Sequence, residues 1–374
     1  MEAVERYSSL STTYRKPLVE GSHSELSKSY RKVLHPNEVV EPLTDKFEDK
    51  NSIMDFVPGY DLLNHMEVMV PAALVFSRYT PKTPVVSAFQ YSHTNGLASG
   101  NVLEEAISHA LCEVIERDAA SIANLSSSSI PYTIMEKMVL GLAESIGDEF
   151  SMMDAINRRF VDDSTIFPDV DISEALQFEP LKFLIERFSK CEIPLLVKDI
   201  TQDDIGIPTF VASSIEWITD DYGFFASGYG CHPDSRIALI RAITEVSQTR
   251  ASNIQGARED LKKIKYLQED NLINRKWQFM SCKNFKHHNR NVRFSNIRTY
   301  PNKDLLDDIK IILKRLKKAG LKRVIIVDLT NNNTGVPVVR AIVPGLETFE
   351  VARLFSNQNI QIGSRARLHF RKSL

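Results

Sequence analysis

The chain has 374 residues, of which 43% are hydrophobic and 25% are charged, so it has the composition of an ordinary globular protein with a large core. Its formal net charge of −2 gives no overall attraction to nucleic acid or to a membrane surface. No apolar run is long enough to cross a bilayer, the N-terminus carries no signal sequence, and the four cysteines form no CxxC pair. These features predict a cytoplasmic protein with reduced thiols and with neither membrane nor nucleic-acid partners.

The first residues form a short helical segment with the charge pattern ExxER. Glu2, Glu5 and Arg6 occupy its charged positions, and the same pattern recurs at 113–117. One such pattern is weak evidence of a site. Its recurrence, on helices that lie beside glycine loops, favours a charged ligand.

A longer helix is predicted to follow the glycine-containing stretch Asn95-Gly-Leu-Ala-Ser-Gly100 and to run to Asp118. Apolar residues between 103 and 115 recur at i, i+3, i+4 and i+7, which indicates an amphipathic helix with one face in the core. Asn101 stands where an N-cap residue is expected.

The polar face of this helix carries a stripe of acidic and amide side chains. At about 100° per residue, the following residues share one sector: Asn101, Glu105, His109, Glu113 and Glu116. Carboxylates stacked in this way repel one another by a few tenths of a kcal/mol per pair, and a bound Mg²⁺ would relieve the repulsion. Arg117, at the edge of the stripe, is placed to meet a phosphate. A solvated acidic face explains this helix equally well, so both interpretations stay open at this point.

Two segments are predicted to be variable or peripheral, namely 121–175 and 255–303. Within the second, Asn274–Lys303 holds eight Lys and Arg residues and no acidic one. Its interleaved aromatic residues are Trp277, Phe279, Phe285, Phe294 and Tyr300. The pattern is typical of contact with nucleic acid or an acidic peptide, but it also fits a solvated loop over a few core aromatics, which we favour.

A third helix, Asp234–Ser252, follows the glycine loop Gly228-Tyr-Gly230. Arg241, Glu245 and Gln248 align on one stripe of this helix at i, i+4 and i+7. Three helices that each offer carboxylate or amide oxygens beside glycine loops favour a magnesium–triphosphate site.

The second half of the chain repeats one plan of helix, strand, turn and strand. A helix near Pro180–Cys191 precedes a strand at Leu195–Ile200, and a helix near Leu305–Ala319 precedes a strand at Arg323–Leu329. The two copies share a motif at identical spacing, Asp199-Ile-Thr201 with Gly206-Ile-Pro208 and Asp328-Leu-Thr330 with Gly335-Val-Pro337. This self-similarity predicts a duplicated helix–strand–strand unit in an α/β or α+β fold. The alternative is a chance likeness of two hairpin turns.

These motifs resemble those of the YcaO family. Besides Asn95–Asp118 and the first copy of the duplicated motif, the matching stretches are Gly230-Cys-His-Pro-Asp234, Thr244-Glu245 with Gln248, and Pro337-Val-Val-Arg340 with Pro344-Gly-Leu-Glu347. The resemblance runs nearly end to end and implies a single YcaO domain over residues 1–374. It implies an α+β (α/β layered) fold with duplicated helix–strand–strand units and with glutamate-bearing helices around an ATP site.

The resemblance also implies an activity and a set of ligands. YcaO proteins bind ATP through glutamate-coordinated magnesium ions and phosphorylate a backbone amide oxygen of a peptide, so that a nucleophile can replace it. Carried onto this chain, the nucleotide-binding residues are Asn101, Glu105, Glu113, Glu116, Arg117, Glu2, Glu5, Arg6, Glu245 and Gln248. The Mg²⁺ ligands among them are Glu5, Glu105, Glu113 and Glu116.

Two departures from the family pattern narrow the expected reaction. The family's first helix extends further upstream, so Met1 falls inside it and that helix is expected to be truncated here. The proline-rich C-terminal tail of azoline-forming members is absent. The resemblance is therefore to the thioamide-forming branch of methanogens, which modifies methyl-coenzyme M reductase, often with a TfuA partner. The alternatives are an azoline-forming cyclodehydratase and a non-catalytic scaffold that binds a partner. A homodimer is the commonest assembly to expect.

Overall fold

The computed structural model describes residues 1–14, 17–29, 32–39, 51–77, 79, 94–127, 167–219, 222–255, 291–347 and 365. These residues divide into two compact units. The first comprises Met1–Ser121, Gln202–Ile207 and Tyr300–Leu368, and the second comprises Ile122–Thr201, Pro208–Thr299 and His369–Leu374. Among the described residues, none of the helices has the length and apolar character that a membrane span requires.

Helices and strands are mixed along the chain, which confirms the predicted α+β class. In chain order the elements are α1 (Glu2–Ser8), β1 (Val19–Ser22), α2 (His23–Ser29), α3 (Pro36–Val39), β2 (Ile53–Asp61), β3 (Met66–Pro71), β4 (Leu97–Ser99), α4 (Leu103–Ser127), β5 (Asp169–Asp171), α5 (Glu179–Lys190), β6 (Leu196–Asp199), β7 (Thr209–Thr219), β8 (Tyr222–Cys231), α6 (Ser235–Gln255), β9 (Asn291–Arg293), α7 (Leu305–Lys318), β10 (Ile325–Asp328) and β11 (Val338–Ile342).

The first unit contains an antiparallel sheet in the order β1-β2-β10-β11-β4, with β3 paired to β2. Aliphatic side chains from β2, β3, β10 and β11 form its core. Gly96, just before β4, has a φ of +77°, and a Cβ there would lie 2.4 Å from the carbonyl oxygen of Ala341 and 2.8 Å from Val114. The absent side chain therefore lets β4, β11 and α4 approach closely, which is what this glycine contributes to the site.

The second unit contains a sheet in the order β8-β7-β6-β5-β9, in which only the β5–β9 pair is parallel. Gly228 and Gly230 lie inside β8, so the predicted glycine loop is wrong. A Cβ on Gly228 would lie 2.4 Å from the carbonyl oxygen of Ala242, and one on Gly230 would lie 2.1 Å from that of Ala238. The glycines are needed because α6 packs its backbone directly on the strand.

The duplicated motif adopts one hydrogen-bonded conformation in both copies. In the first, the Thr201 N–H donates to Asp199 Oδ1 (3.0 Å) and Thr201 Oγ1 accepts from the Thr209 N–H (3.0 Å). The corresponding bonds of Asp328 and Thr330 measure 2.9 Å and 3.2 Å. The glycines that follow have φ values of +65° and +64°. Such agreement supports duplication rather than a chance likeness of turns.

The helices that precede these motifs also end alike. The Ile193 N–H donates to the Phe188 carbonyl after α5 (3.0 Å), and the Leu321 N–H donates to the Leu316 carbonyl after α7 (3.1 Å). Both ends need a residue in the left-handed region. Gly320 takes this position with a φ of +87°, whereas its counterpart, Glu192, is not a glycine and has a φ of +56°.

The cysteines and the two segments predicted to be peripheral can also be compared with the structure. Cys112, Cys191 and Cys231 are free thiols. Residues 256–290 lie outside the described residues, and with them the part 274–290 of the basic and aromatic segment; Phe294 is buried in the core of the second unit, as the core-aromatic interpretation expects. The segment 128–166 also lies outside the described residues.

Candidate nucleotide site

The short first helix is fixed to the edge strand of its sheet through Glu5. Glu5 Oε1 accepts hydrogen bonds from the Ser99 N–H (2.8 Å) and from Ser99 Oγ (2.6 Å), at the last residue of β4. This positions the carboxylate of α1 beside the loop from which α4 starts. Apart from its place in the motif, nothing in the sequence points to a role for Ser99.

Glu113 of α4 lies at the centre of a group of charges from three elements, α1, α4 and β11. Its side chain is half-buried, and Glu116, one turn later, is only 6% exposed. The pKa of Glu113 is raised to about 8, chiefly by burial and also by the carboxylates of Glu116 and Glu5, while Arg117 and Arg340 oppose the shift. These carboxylates are withdrawn from water, which disagrees with a fully solvated acidic face.

Arg340 is the residue of this group to which the sequence alone assigns no role. It lies in β11 opposite Val327 of β10 and is 4% exposed. Burial lowers the pKa of its guanidinium to about 10, and the charge of Glu113 opposes that shift. The feature of the sequence that could have revealed Arg340 is the presence of a charged residue inside the apolar strand Val338–Ile342. Charged residues are seldom buried without a partner, so a charge in such a strand predicts an interaction.

Glu105 and Asn101 interact with each other at the start of α4. Glu105 Oε2 accepts from the Asn101 N–H (2.7 Å) and from Asn101 Nδ2 (3.0 Å). The helix begins at Leu103, so the N-cap position falls on Val102 rather than on Asn101 as predicted. The reason is that Asn101 uses its side chain to hold Glu105 instead of capping the helix. These two hydrogen bonds orient the Oε2 oxygen of Glu105 at the N-terminal end of the glutamate stripe.

The remaining predicted residues of α1 are exposed and pair with each other. Arg6 Nη2 lies 2.6 Å from Glu2 Oε1, and both side chains are more than half exposed. An exposed pair of this kind adds little stability, so neither residue is needed to hold the helix.

In the second unit, the predicted residues lie on α6. Glu245 Oε2 accepts a hydrogen bond from the Tyr229 N–H of β8 (2.5 Å), which fixes the carboxylate against the glycine-bearing strand. Arg241 is half-buried and Gln248 is exposed. Lys198 of β6, in contrast, is buried in an ion pair with Asp169, and it also donates to the Phe167 carbonyl (3.3 Å). That pairing favours a structural role for Lys198.

The donor set around Glu113 is suited to Mg²⁺, because carboxylate oxygens are the ligands that hard cations prefer. A cation would offset the repulsion among Glu5, Glu113 and Glu116, which is part of what raises the pKa of Glu113. Within the described ranges, no three or more His, Cys, Asp or Glu side chains are arranged to hold a metal. Mg²⁺ in phosphate-transfer sites commonly takes one or two carboxylates together with phosphate oxygens and water.

Fold and site together define an α+β protein whose carboxylate-bearing helix suits a magnesium-bound phosphate ligand. A sequence model of the family described as "YcaO cyclodehydratase, ATP- and Mg2+-binding" matches residues 1–347. The chain therefore belongs to the YcaO family, and its cofactors are ATP and Mg²⁺.

Two relatives and two solved structures are among the proteins that are similar to the chain. An uncharacterized protein of Methanothermobacter thermautotrophicus is 33% identical over 94% of this chain and 78% of its own. An uncharacterized protein in the tfuA 3′ region of Rhizobium leguminosarum bv. trifolii is 31% identical over 82% of this chain and 63% of its own.

The structure of YcaO from Methanopyrus kandleri bound with AMPPCP and Mg²⁺ matches 97% of this chain and 77% of its own, with a TM-score of 0.64 and 22% identity. A heterocyclase in complex with substrate and cofactor matches 93% of this chain and 43% of its own, with a TM-score of 0.67 and 22% identity. These likenesses confirm the YcaO-like fold.

Proposed function

We propose that this chain is a cytoplasmic enzyme that uses ATP and Mg²⁺ to activate a peptide backbone amide, and that the product is a thioamide. The observation that carries the proposal is the partly buried group around Glu113, in which carboxylates and arginines from α1, α4 and β11 interact. Such a group matches a ligand that is itself both cationic and anionic, as a magnesium–triphosphate is. We further propose that both compact units belong to one YcaO domain.

In the first unit, we assign the proposed roles by charge: acidic residues to Mg²⁺, and amide and basic residues to the nucleotide. Glu5, Glu105, Glu113 and Glu116 would hold Mg²⁺, with one or two of them on any one ion, and Asn101 and Arg117 would contact the nucleotide. Bound ATP supplies the phosphoryl group, and Mg²⁺ neutralises charge that develops on it. Glu5 is held by Ser99 and Glu105 by Asn101, so two of the four carboxylates are oriented before any ligand binds. The other proposed nucleotide-binding residues are Glu2, Arg6, Glu245 and Gln248.

In the proposed reaction, sulfur replaces the oxygen of a backbone amide, a group that resonance makes unreactive. The amide oxygen attacks the γ-phosphorus of ATP, the bond to the bridging oxygen breaks, and ADP leaves. Hydrosulfide then adds to the activated carbon, and phosphate leaves with the former amide oxygen. The products are a thioamide, ADP and phosphate. Positioning and charge neutralisation account for most of the catalysis in such phosphoryl transfers, and the chain offers both.

The relatives support the sulfur chemistry over cyclisation. One belongs to a methanogen and another is encoded in a tfuA 3′ region, so a TfuA-like partner protein is part of the proposal. A glycine of methyl-coenzyme M reductase is the candidate substrate. The likeness to a heterocyclase leaves azoline formation as the other outcome of the test.

The test is to weigh a peptide after incubation with the chain, ATP, Mg²⁺ and sulfide, with and without a TfuA-like protein. The peptide should carry a glycine in the sequence context of methyl-coenzyme M reductase, and a second peptide should place Cys or Ser beside that glycine. Exchange of oxygen for sulfur in the first peptide is the expected result. Loss of one water from the second, without sulfur uptake, would establish the cyclodehydratase instead. ATP binding without change in either peptide would favour a non-catalytic scaffold.

A further inference from the structure

A buried ionic cluster of the first unit lies outside the site described above. It joins Asp118 of α4, Asp204 in the turn at 202–207, and Arg365 near the C-terminal end. Asp118 is fully buried, Arg365 is 9% exposed, and the Asp204 side chain is 43% exposed. The three residues are far apart in the sequence, so the cluster fixes the distances between three separate stretches of chain.

The guanidinium of Arg365 is bound on two sides. Arg365 Nε and Nη2 donate to the two carboxylate oxygens of Asp118 (2.9 Å and 3.0 Å), and Nη1 and Nη2 donate to those of Asp204 (2.5 Å and 3.1 Å). A planar fork with several fixed donors is what permits this double bidentate contact, and an ammonium could not reproduce it.

Three further hydrogen bonds extend the cluster. The Glu347 N–H donates to Asp118 Oδ1 (2.7 Å), which ties in the stretch that follows β11. The Arg315 side chain of α7 donates to the carbonyl oxygens of Ile205 and Asp204, so the turn at 202–207 is held through its backbone as well as through its side chain. Asp118 therefore connects α4 to three other stretches of its unit.

The position of Asp118 on α4 relates the cluster to the nucleotide site. Asp118 follows Arg117 directly, and at about 100° per residue it lies about 140–160° around the helix from Glu113 and Glu116. The cluster thus binds α4 on the side opposite to the glutamate stripe, about 3 Å beyond Glu116 and about 7.5 Å beyond Glu113 along the helix axis. Any rotation or sliding of α4 that would displace the stripe must also break these charged hydrogen bonds.

We propose that Arg365 is a positioning residue for the nucleotide site: with Asp118 and Asp204 it fixes α4 from behind and so holds Glu113, Glu116 and Arg117 in their binding geometry. Stability alone is a weak reason for such a cluster, since buried ion pairs are often no more stabilising than apolar groups of the same volume. Precise placement of ligands is a better reason, because metal–phosphate sites depend on the residues that support them. The inference rests on the proposed nucleotide site.

The test compares three cluster variants with a matched control in the same unit. Arg365→Lys keeps the charge but loses the fork, Asp118→Asn removes the buried carboxylate, and Asp204→Asn alters the more exposed partner, so that at least one variant should fold. Asp61→Asn is the control, because Asp61 is also a buried carboxylate (1% exposed) that accepts backbone N–H bonds and has an arginine, Arg323, nearby.

Calorimetry with Mg²⁺ and AMPPCP gives the dissociation constant of each full-length variant, at a temperature where circular dichroism shows it folded, and urea unfolding gives its stability. We expect Arg365→Lys and Asp118→Asn to bind at least about tenfold more weakly than wild type, with a smaller loss for Asp204→Asn. Asp61→Asn should lose stability but bind like wild type.

The positioning role would be overturned if folded Arg365→Lys and Asp204→Asn bound Mg²⁺ and AMPPCP with wild-type affinity. It would also be overturned if Asp61→Asn lost as much affinity as the cluster variants. Failure of the wild-type chain itself to bind Mg²⁺ and AMPPCP is a different result, because it refutes the nucleotide site and the inference with it.

Discussion

The raised pKa of Glu113 makes the stability of the ligand-free protein depend on pH in a direction that can be tested. Its usual value is 4.5, and in the folded protein it is about 8. Between these values the folded state binds a proton that the unfolded state does not. The stabilisation from the protonated carboxyl is therefore complete below pH 4.5 and is lost as the pH rises through 8.

The size of the effect follows from the two pKa values. One pKa unit corresponds to about 1.4 kcal/mol, so the shift from 4.5 to about 8 amounts to at most about 5 kcal/mol, and water at the half-buried side chain reduces this. Glu113→Gln replaces the protonated form by a neutral side chain of the same shape. The free energy of unfolding of wild type should thus fall relative to the variant across this range, by up to about 1.4 kcal/mol per pH unit.

The assay is urea unfolding of both proteins from pH 5 to pH 9, first without ligand and then with Mg²⁺ and AMPPCP. The ligand should bind the ionised carboxylate, so its stabilising effect on wild type should increase with pH towards 8 and then level off. Glu104→Gln, an exposed position of the same helix, is the control and should follow wild type. If wild type and Glu113→Gln keep a constant difference over the whole range without ligand, the charge group at Glu113 has been described wrongly.

Three other predictions address the site and the fold. Glu116→Gln should weaken binding of Mg²⁺ and AMPPCP at least about tenfold in calorimetry without lowering the urea midpoint, whereas Glu104→Gln should bind normally; equal affinities would contradict the metal-ligand role. Glu192→Gly should stabilise the protein by about 0.5–1 kcal/mol in urea unfolding, because glycine tolerates its φ of +56°, and Gly320→Ala should destabilise it by about 1 kcal/mol; the opposite signs would refute the matched helix ends. Gly230→Ala should cost at least about 2 kcal/mol, since its Cβ would meet the α6 backbone at 2.1 Å, and an unchanged midpoint would refute that packing.

The sequence predicts the elements whose patterns are local. The apolar period of α4, the duplicated motif and the strands β6 and β10 could all be placed within a few residues, because helix and strand periods and turn residues act over short stretches. The predicted N-cap at Asn101 is wrong because Asn101 bonds to Glu105 instead of capping the helix. The predicted loop at Gly228 and Gly230 is wrong because sequence alone does not distinguish a glycine at which the chain turns from a glycine that allows a helix to pack closely.

The site was predicted in part for the same reason. Glu105, Glu113 and Glu116 follow one another on a single helix, so their common face can be worked out from the helical period. Glu5 and Arg340 reach Glu113 from α1 and β11, and only the tertiary fold brings them there. Arg365 lies still further from Asp118 in sequence, and no periodic pattern links the two.

The two copies of the duplicated unit show why buried charge alone does not identify a functional residue. Their strand pairs share one register: Lys198 faces Val211 in the second unit, and Val327 faces Arg340 in the first. Each pair thus holds one buried cation, on opposite strands of the hairpin, and the sequence gives both the same signal. Asp169 lies within hydrogen-bonding distance of Lys198, and the pair lies inside a structural core.

Arg340 instead interacts with Glu113, which also senses Glu5, Glu116 and Arg117. Glu113 thus interacts with two other carboxylates and two guanidinium groups, and such a group can still gain by binding a metal and its phosphates. Lys198 is engaged by the Asp169 carboxylate and by the Phe167 carbonyl, which suits a structural role. The several charges that act on Glu113 beside Arg340 are therefore the reason why we propose the nucleotide chemistry for the copy that carries Arg340.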